Sequence, residues 1–123
     1  MEVPEHAQLV ADFSVDAGYT AAERLLDEFP DTDAIVCATD SIAYGALTCL
    51  REYGRRVPED VQVTGVGDGE LSQIVTPTLT TVHHHYKTSG AEAARMLCDL
   101  LDGHDARREV RMGYEVVTRN STR

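Results

Sequence analysis

The sequence predicts an α/β protein with an open, mostly parallel sheet. Three observations lead there. Apolar runs of strand length alternate with segments whose apolar residues recur at helical spacing, and the connections are short. Ala34-Ile35-Val36-Cys37-Ala38 is a continuous apolar run, which suits a parallel strand covered on both faces. Two polar turns, Cys37-Ala38-Thr39-Asp40-Ser41 and Thr64-Gly65-Val66-Gly67-Asp68-Gly69, follow neighbouring strands. They lie at the carboxyl ends of those strands, the edge where open α/β sheets bind ligands.

The elements follow in order. Residues 1–7 read as a loose start. Leu9-Val10 opens a short strand ending near Phe13. Tyr19, Ala22, Leu25, Leu26 and Phe29 recur at helical spacing over 17–29, with the N-cap near Asp16 and Pro30 as the stop. The run 34–38 is the next strand. Asp40 or Ser41 caps a helix striped by Ile42, Ala43, Ala46, Leu47, Leu50 and Tyr53, and Gly54 terminates it. Residues 61–66 form a strand, 71–75 a single helical turn, and 79–82 an extended segment. A helix from about Thr88 to Leu101 carries Ala91, Ala94, Leu97 and Leu101 on one stripe. Residues 110–117 are a last strand, and Thr118 to Arg123 a polar tail. Right-handed crossovers then place helices on both faces of the sheet.

The chain has 123 residues, enough for one domain. Its net charge of −10 repels phosphate backbones, and non-specific nucleic-acid binding needs cationic contacts. Cys37, Cys49 and Cys98 are odd in number and form no C-x-x-C pair, as in a reduced cytoplasmic chain with buried thiols. No basic stretch followed by an apolar run opens the chain as a signal peptide would, and no apolar run approaches a membrane span. Neither export nor a membrane partner is expected.

The motifs point away from catalysis. Gly65-x-Gly67-x-Gly69 lacks the spacing of the dinucleotide fingerprint and the helix after it is short. Asp40 and Asp68 read first as a helix cap and a turn carboxylate. Of the three consecutive histidines, His83 and His85 face one way on a strand and His84 the other, so they cannot all ligate one ion. There is no H-E-x-x-H or G-x-S-x-G, and Cys37 has no evident base. No catalytic residue, metal or cofactor is expected. Phe13 is either core or a flat ring at a pocket mouth, where an aromatic face suits the C–H face of a sugar.

These residues resemble one family. Asp33 through Ala46, with Ala38-Thr39-Asp40, is similar to the "A-N-D-x-x-A-x-G-A" segment of lactose/galactose-repressor-type (LacI/GalR) regulators. Gly54 to Val66, with Val57-Pro58-Glu59-Asp60-Val61, resembles the family's "G-x-x-V-P-x-D-V-x-V-x-G-(F/Y)-D". Pro77-Thr78-Leu79-Thr80-Thr81-Val82 resembles "P-x-L-T-T-(V/I)", and Asp12-Phe13-Ser14 with Gly18-Tyr19 the earlier "D-F-s-x-x-x-G-Y". Residues 80–90 look like the sucrose-operon-repressor branch.

The resemblance implies a periplasmic-binding-protein-like, Rossmann-like fold with two subdomains and an effector cleft between them. It implies a sugar effector, a disaccharide or a sugar phosphate, that alters operator binding by a separate helix-turn-helix headpiece. The chain corresponds to about the last third of a family member, without headpiece or N-terminal subdomain. Residues 8–82 and 110–117 would form the C-terminal subdomain, and 83–103 would belong to the absent one. The implied effector contacts are Phe13 by stacking, Thr39 and Asp40, Gly67 with Asp68, and His84 and Tyr86 near the crossover. Two positions depart from the pattern. Thr39 stands where many members have Asn, and Gly67 where many have the effector-binding Asp, with Asp68 one place later. A homodimer or larger assembly through the 88–101 helix is expected. The alternatives are a sugar-binding protein of a transporter, which shares the fold, and a small α/β enzyme using Asp40 or Asp68.

Overall fold

The computed structural model describes residues 5–104 and 108–123, apart from the side chain of His6. After a 3-10 turn at Glu5–Ala7 come α1 (Val15–Glu28), β1 (Ala34–Val36), α2 (Asp40–Glu52) and β2 (Gln62–Val66). They are followed by α3 (Leu71–Ile74), β3 (Thr80–His84), α4 (Tyr86–Leu101) and β4 (Tyr114–Val117). The strands form one sheet in the order β1-β2-β3-β4, the first three parallel and β4 antiparallel to β3.

The core lies between α1, α2 and one face of the sheet. Ala22 and Leu26 of α1 meet Ala43, Ala46, Leu47, Cys49 and Leu50 of α2, with Ile35, Val61, Val63 and Leu79 beneath them. Each large side chain buried this way contributes about 1.5–3 kcal/mol. The helices approach backbone to backbone. Gly18 lies against the backbone of Ile42, and Gly45 against that of Val15 and Tyr19, with no room for a Cβ at either. These contacts join the amino-terminal halves of both helices. Ser14 and Thr39, the two N-caps, therefore stand at the same end of the layer.

Several sequence expectations are corrected. No strand forms at 9–13. That segment lines a hollow with Ala17, Thr20, Ala21 and Arg24 of α1, and makes no ladder with β1. Helix α1 starts at Val15 with Ser14 as its cap, because the Ser14 hydroxyl accepts from the Ala17 N–H, and not near Asp16. β1 is covered on one face only: Ile35 and Cys37 are buried, while Ala34, Val36 and Ala38 are exposed. The last strand is shorter than 110–117. Its partner β3 pairs only from Thr81 to His84, so residues before Tyr114 outrun it.

The polar tail is structural. Ser121 is fully buried, and its hydroxyl donates to the Val63 carbonyl at 2.6 Å and accepts from the Thr80 N–H at 2.8 Å. Its backbone bonds Val63 and Thr78, joining β2 to the approach to β3. In contrast, α4 buries none of its residues. Among the described residues no helix is long and apolar enough to cross a membrane.

Candidate functional site

The carboxyl ends of β1, β2 and β3 converge on one polar cluster. Thr39 is the N-cap of α2, its hydroxyl accepting from the Ile42 N–H at 3.3 Å. This corrects the assignment of the cap to Asp40 or Ser41. With Thr39 in that role, the Asp40 carboxylate is free to reach across the sheet edge. It accepts from the Thr81 hydroxyl on β3 at 2.6 Å and from the Gly69 N–H at 3.1 Å, and it is buried. One carboxylate thus joins the turns after β1 and β2 to Thr81, the second residue of β3.

Gly67 and Asp68 form the turn after β2. Gly67 has φ +139°, and a Cβ there would come within 3.2 Å of Asp40 Oδ2. A side chain at this position is strained and crowded, so the Asp of the resembled pattern does not fit this backbone. Asp68 has φ +54°, a left-handed conformation uncommon for a non-glycine residue. Its N–H lies 3.4 Å from Thr81 Oγ1.

The Asp68 side chain is the hub of a second network. Arg119 Nη2 donates to Oδ1 at 2.6 Å, Ser72 Oγ lies 3.2 Å from the same oxygen, and His83 Nδ1 meets Oδ2 at 3.0 Å. Burial pushes this carboxyl up. The Arg119 hydrogen bond and charge, with Ser72 and His83, outweigh it and hold the carboxyl below its usual range. An ionised carboxylate only accepts, so His83 must carry a proton on Nδ1.

The other residues named from the sequence are distributed as follows. Phe13 is 79% exposed, immediately before the Ser14 cap and therefore at the same end as Thr39. His84 is half-buried at the end of β3, its ring 5.4 Å from that of Tyr86, the exposed first residue of α4. Thr39, Asp40, Gly67 and Asp68 are brought together by backbone and hydrogen bonds, and His84 with Tyr86 form a separate aromatic pair.

Sequence reasoning missed Arg119, Ser72 and His83 as members of the cluster. Their signal is tertiary: Arg119 is 51 positions from Asp68. Thr81 was legible only as part of the Leu-Thr-Thr string. Burial first, and Asp40 second, push the Cys37 thiol up to about 12, far from a reactive thiolate. The Tyr44 hydroxyl, one turn along α2 from Asp40, is buried without a hydrogen-bond partner, and burial foremost raises it to about 12. Among the described residues no three His, Cys, Asp or Glu side chains are placed to hold a metal ion.

The profile of the periplasmic binding protein-like domain matches residues 2–122. The chain belongs to that family. Among the proteins it resembles are transcriptional regulators. It is 41% identical over 103 residues to the HTH-type transcriptional regulator CelR of Thermobifida fusca, covering 84% of this chain and 30% of CelR. The structure of a CelR–cellobiose complex superposes with a TM-score of 0.94 at 36% identity, over 98% of this chain and 37% of that one. A LacI family transcriptional regulator from Arthrobacter sp. FB24 in complex with lactose gives a TM-score of 0.83 at 33% identity, over 93% and 44% of the two chains. The chain therefore spans less than half the length of these relatives.

Proposed function

We propose that this chain is the effector-sensing part of a sugar-responsive, LacI-type transcriptional regulator of the cytoplasm, without enzymatic activity. The observation that carries the reading is the superposition of nearly the whole chain on a regulator bound to cellobiose. The polar edge at the ends of β1, β2 and β3 supports it, because that is the ligand-binding edge of such sheets.

In this reading Phe13 stacks on a sugar ring, and Thr39, His84 and Tyr86 face its hydroxyls. Asp40 and Asp68 spend their hydrogen bonds on the protein and shape the turn at Gly67. The effector is a disaccharide or a sugar phosphate, and residues 80–90 favour the sucrose-operon-repressor branch. Residues 83–103 belong to a second subdomain that completes the cleft. The bare stripe of α4 supports this, as it supports a homodimer or larger assembly with α4 in the interface or exchanged between chains. Operator DNA is bound through a separate headpiece, since a net charge of −10 repels a nucleic-acid backbone.

Calorimetry tests the reading. Cellobiose, lactose, sucrose and their phosphates should give little heat with this chain and a clear isotherm with the intact parent regulator. A parent that binds none of them overturns it. So does sequence-specific retardation of DNA by this chain alone at low salt.

A further inference from the structure

Arg119 follows β4 and returns into the molecule. Its side chain is only 16% exposed. It donates to Asp68 Oδ1 at 2.6 Å, to Ser72 Oγ at 3.0 Å and to the Leu79 carbonyl at 2.9 Å, while its backbone N–H donates to Thr80 Oγ1 at 2.8 Å. One side chain thus binds the β2–α3 turn, α3 and the entry to β3. The fork of donors occupies Asp68 Oδ1 and leaves Oδ2 to His83. His83 immediately precedes His84 on β3, and Tyr86 follows two places later.

We propose that Arg119 is a positioning residue of the candidate site. Through Asp68 it fixes His83 in the Nδ1–H form and so sets the end of β3 that carries His84 and leads into Tyr86 of α4. What this relay serves rests on the effector-sensing reading; its existence is read on His83 with no effector present. The other titratable groups facing His83 are His85, with ring centroids 5.2 Å apart, and Glu115, its register partner on β4. Glu115 lies 3.8 Å from His85 Nε2. Arg119 bonds Asp68, Ser72, Leu79 and Thr80, so its replacement acts on His83 through Asp68.

Long-range 15N–1H correlation spectra of the full chain, followed across pH, read the imidazole directly. Neutral His83 in the native chain should be the Nδ1–H tautomer; the Nε2–H tautomer there overturns the proposal without any variant. In Arg119→Met the fork that holds Asp68 Oδ1 is lost, so Oδ2 is no longer aimed at His83 and its Nδ1–H population should fall. Arg119→Lys keeps a charged donor to Asp68 and should hold the Nδ1–H population near that of the native chain. A folded Arg119→Met chain with an unmoved His83 tautomer population overturns the relay. If that variant does not fold, Asp68→Asn decides: its His83 should lose the Nδ1–H preference, and retention of the native tautomer is again contrary.

In the intact parent, cellobiose affinity should fall about tenfold in Arg119→Met and be largely restored in Arg119→Lys. An unchanged affinity beside a moved His83 refutes the positioning role. A parent that ignores all the sugars sinks the effector-sensing reading instead, while His83 still decides the relay.

Discussion

The half of the molecule built on α1 and α2 and the arm built from α4 and β4 follow the same sequence rule to opposite ends. Helices α2 and α4 are both amphipathic, with small residues among the apolar ones. Helix α2 buries Ala43, Gly45, Ala46, Leu47, Cys49 and Leu50, and α4 buries nothing. The difference lies in what faces them. α1 offers Gly18 and Ala22 at contact distance from α2, whereas a Cβ added at Gly90 of α4 would meet nothing. Amphipathicity says that a helix has a face to bury. It does not say what covers that face.

Leucine truncation gives the largest expected contrast. Leu50→Ala, at a fully buried position, should cost about 2–5 kcal/mol in urea denaturation. Leu101→Ala, at a position 78% exposed, should stay within about 0.5 kcal/mol. A large loss at Leu101 in the isolated chain would mean that α4 is covered in solution, by a second copy or by the sheet.

Glycine substitution sharpens the same comparison by its sign. Gly45→Ala must push α1 and α2 apart, at about 3 kcal/mol. Gly90→Ala relieves a glycine inside a free helix and should gain about 0.5–1 kcal/mol. A Gly45→Ala chain as stable as the native one would contradict the packing described for α1 and α2, and a loss in Gly90→Ala would contradict the open surroundings of α4.

The next effect depends on pH. The folded-state carboxyl of Asp68 lies below its ordinary value, so its contribution is fully present above the unfolded value, about 4. It is lost as pH falls through the depressed folded value. Urea midpoints measured between neutral and acid pH should therefore drop less steeply in Asp68→Asn than in the native chain. Parallel curves would remove Asp68 from the acid limb.

The smallest test changes no stability. Cys98 on α4 is exposed, whereas Cys37 and Cys49 are buried and burial foremost raises their thiols to about 12 and about 11. Under native conditions a thiol reagent should label Cys98 alone, as mass spectrometry can check. Rapid labelling of Cys49 would show that the α1–α2 core opens as readily as the arm.

Much of the fold was legible because it is local. Helical spacing from Leu25 to Phe29, Pro30 as a stop and Gly54 at φ +68° need only neighbouring residues. The candidate site was legible in part. Thr39, Asp40, Gly67 and Asp68 sit at strand ends that alternation alone locates. Their partners were hidden, because Thr81 reaches Asp40 over 41 positions, and hydrogen bonds across such a span leave no periodicity.

The sequence by itself determined the order of strands and helices from α1 onward, the polar turns and the apolar stripes, since each depends on the chain's own dihedral preferences and spacing. Only the tertiary structure decided that Thr39 and not Asp40 caps α2, that Ser121 and Arg119 of a polar tail are interior groups, and that β1 is covered on one face. A polar side chain is buried when distant partners satisfy its hydrogen bonds, and those partners exist only once the strands are side by side.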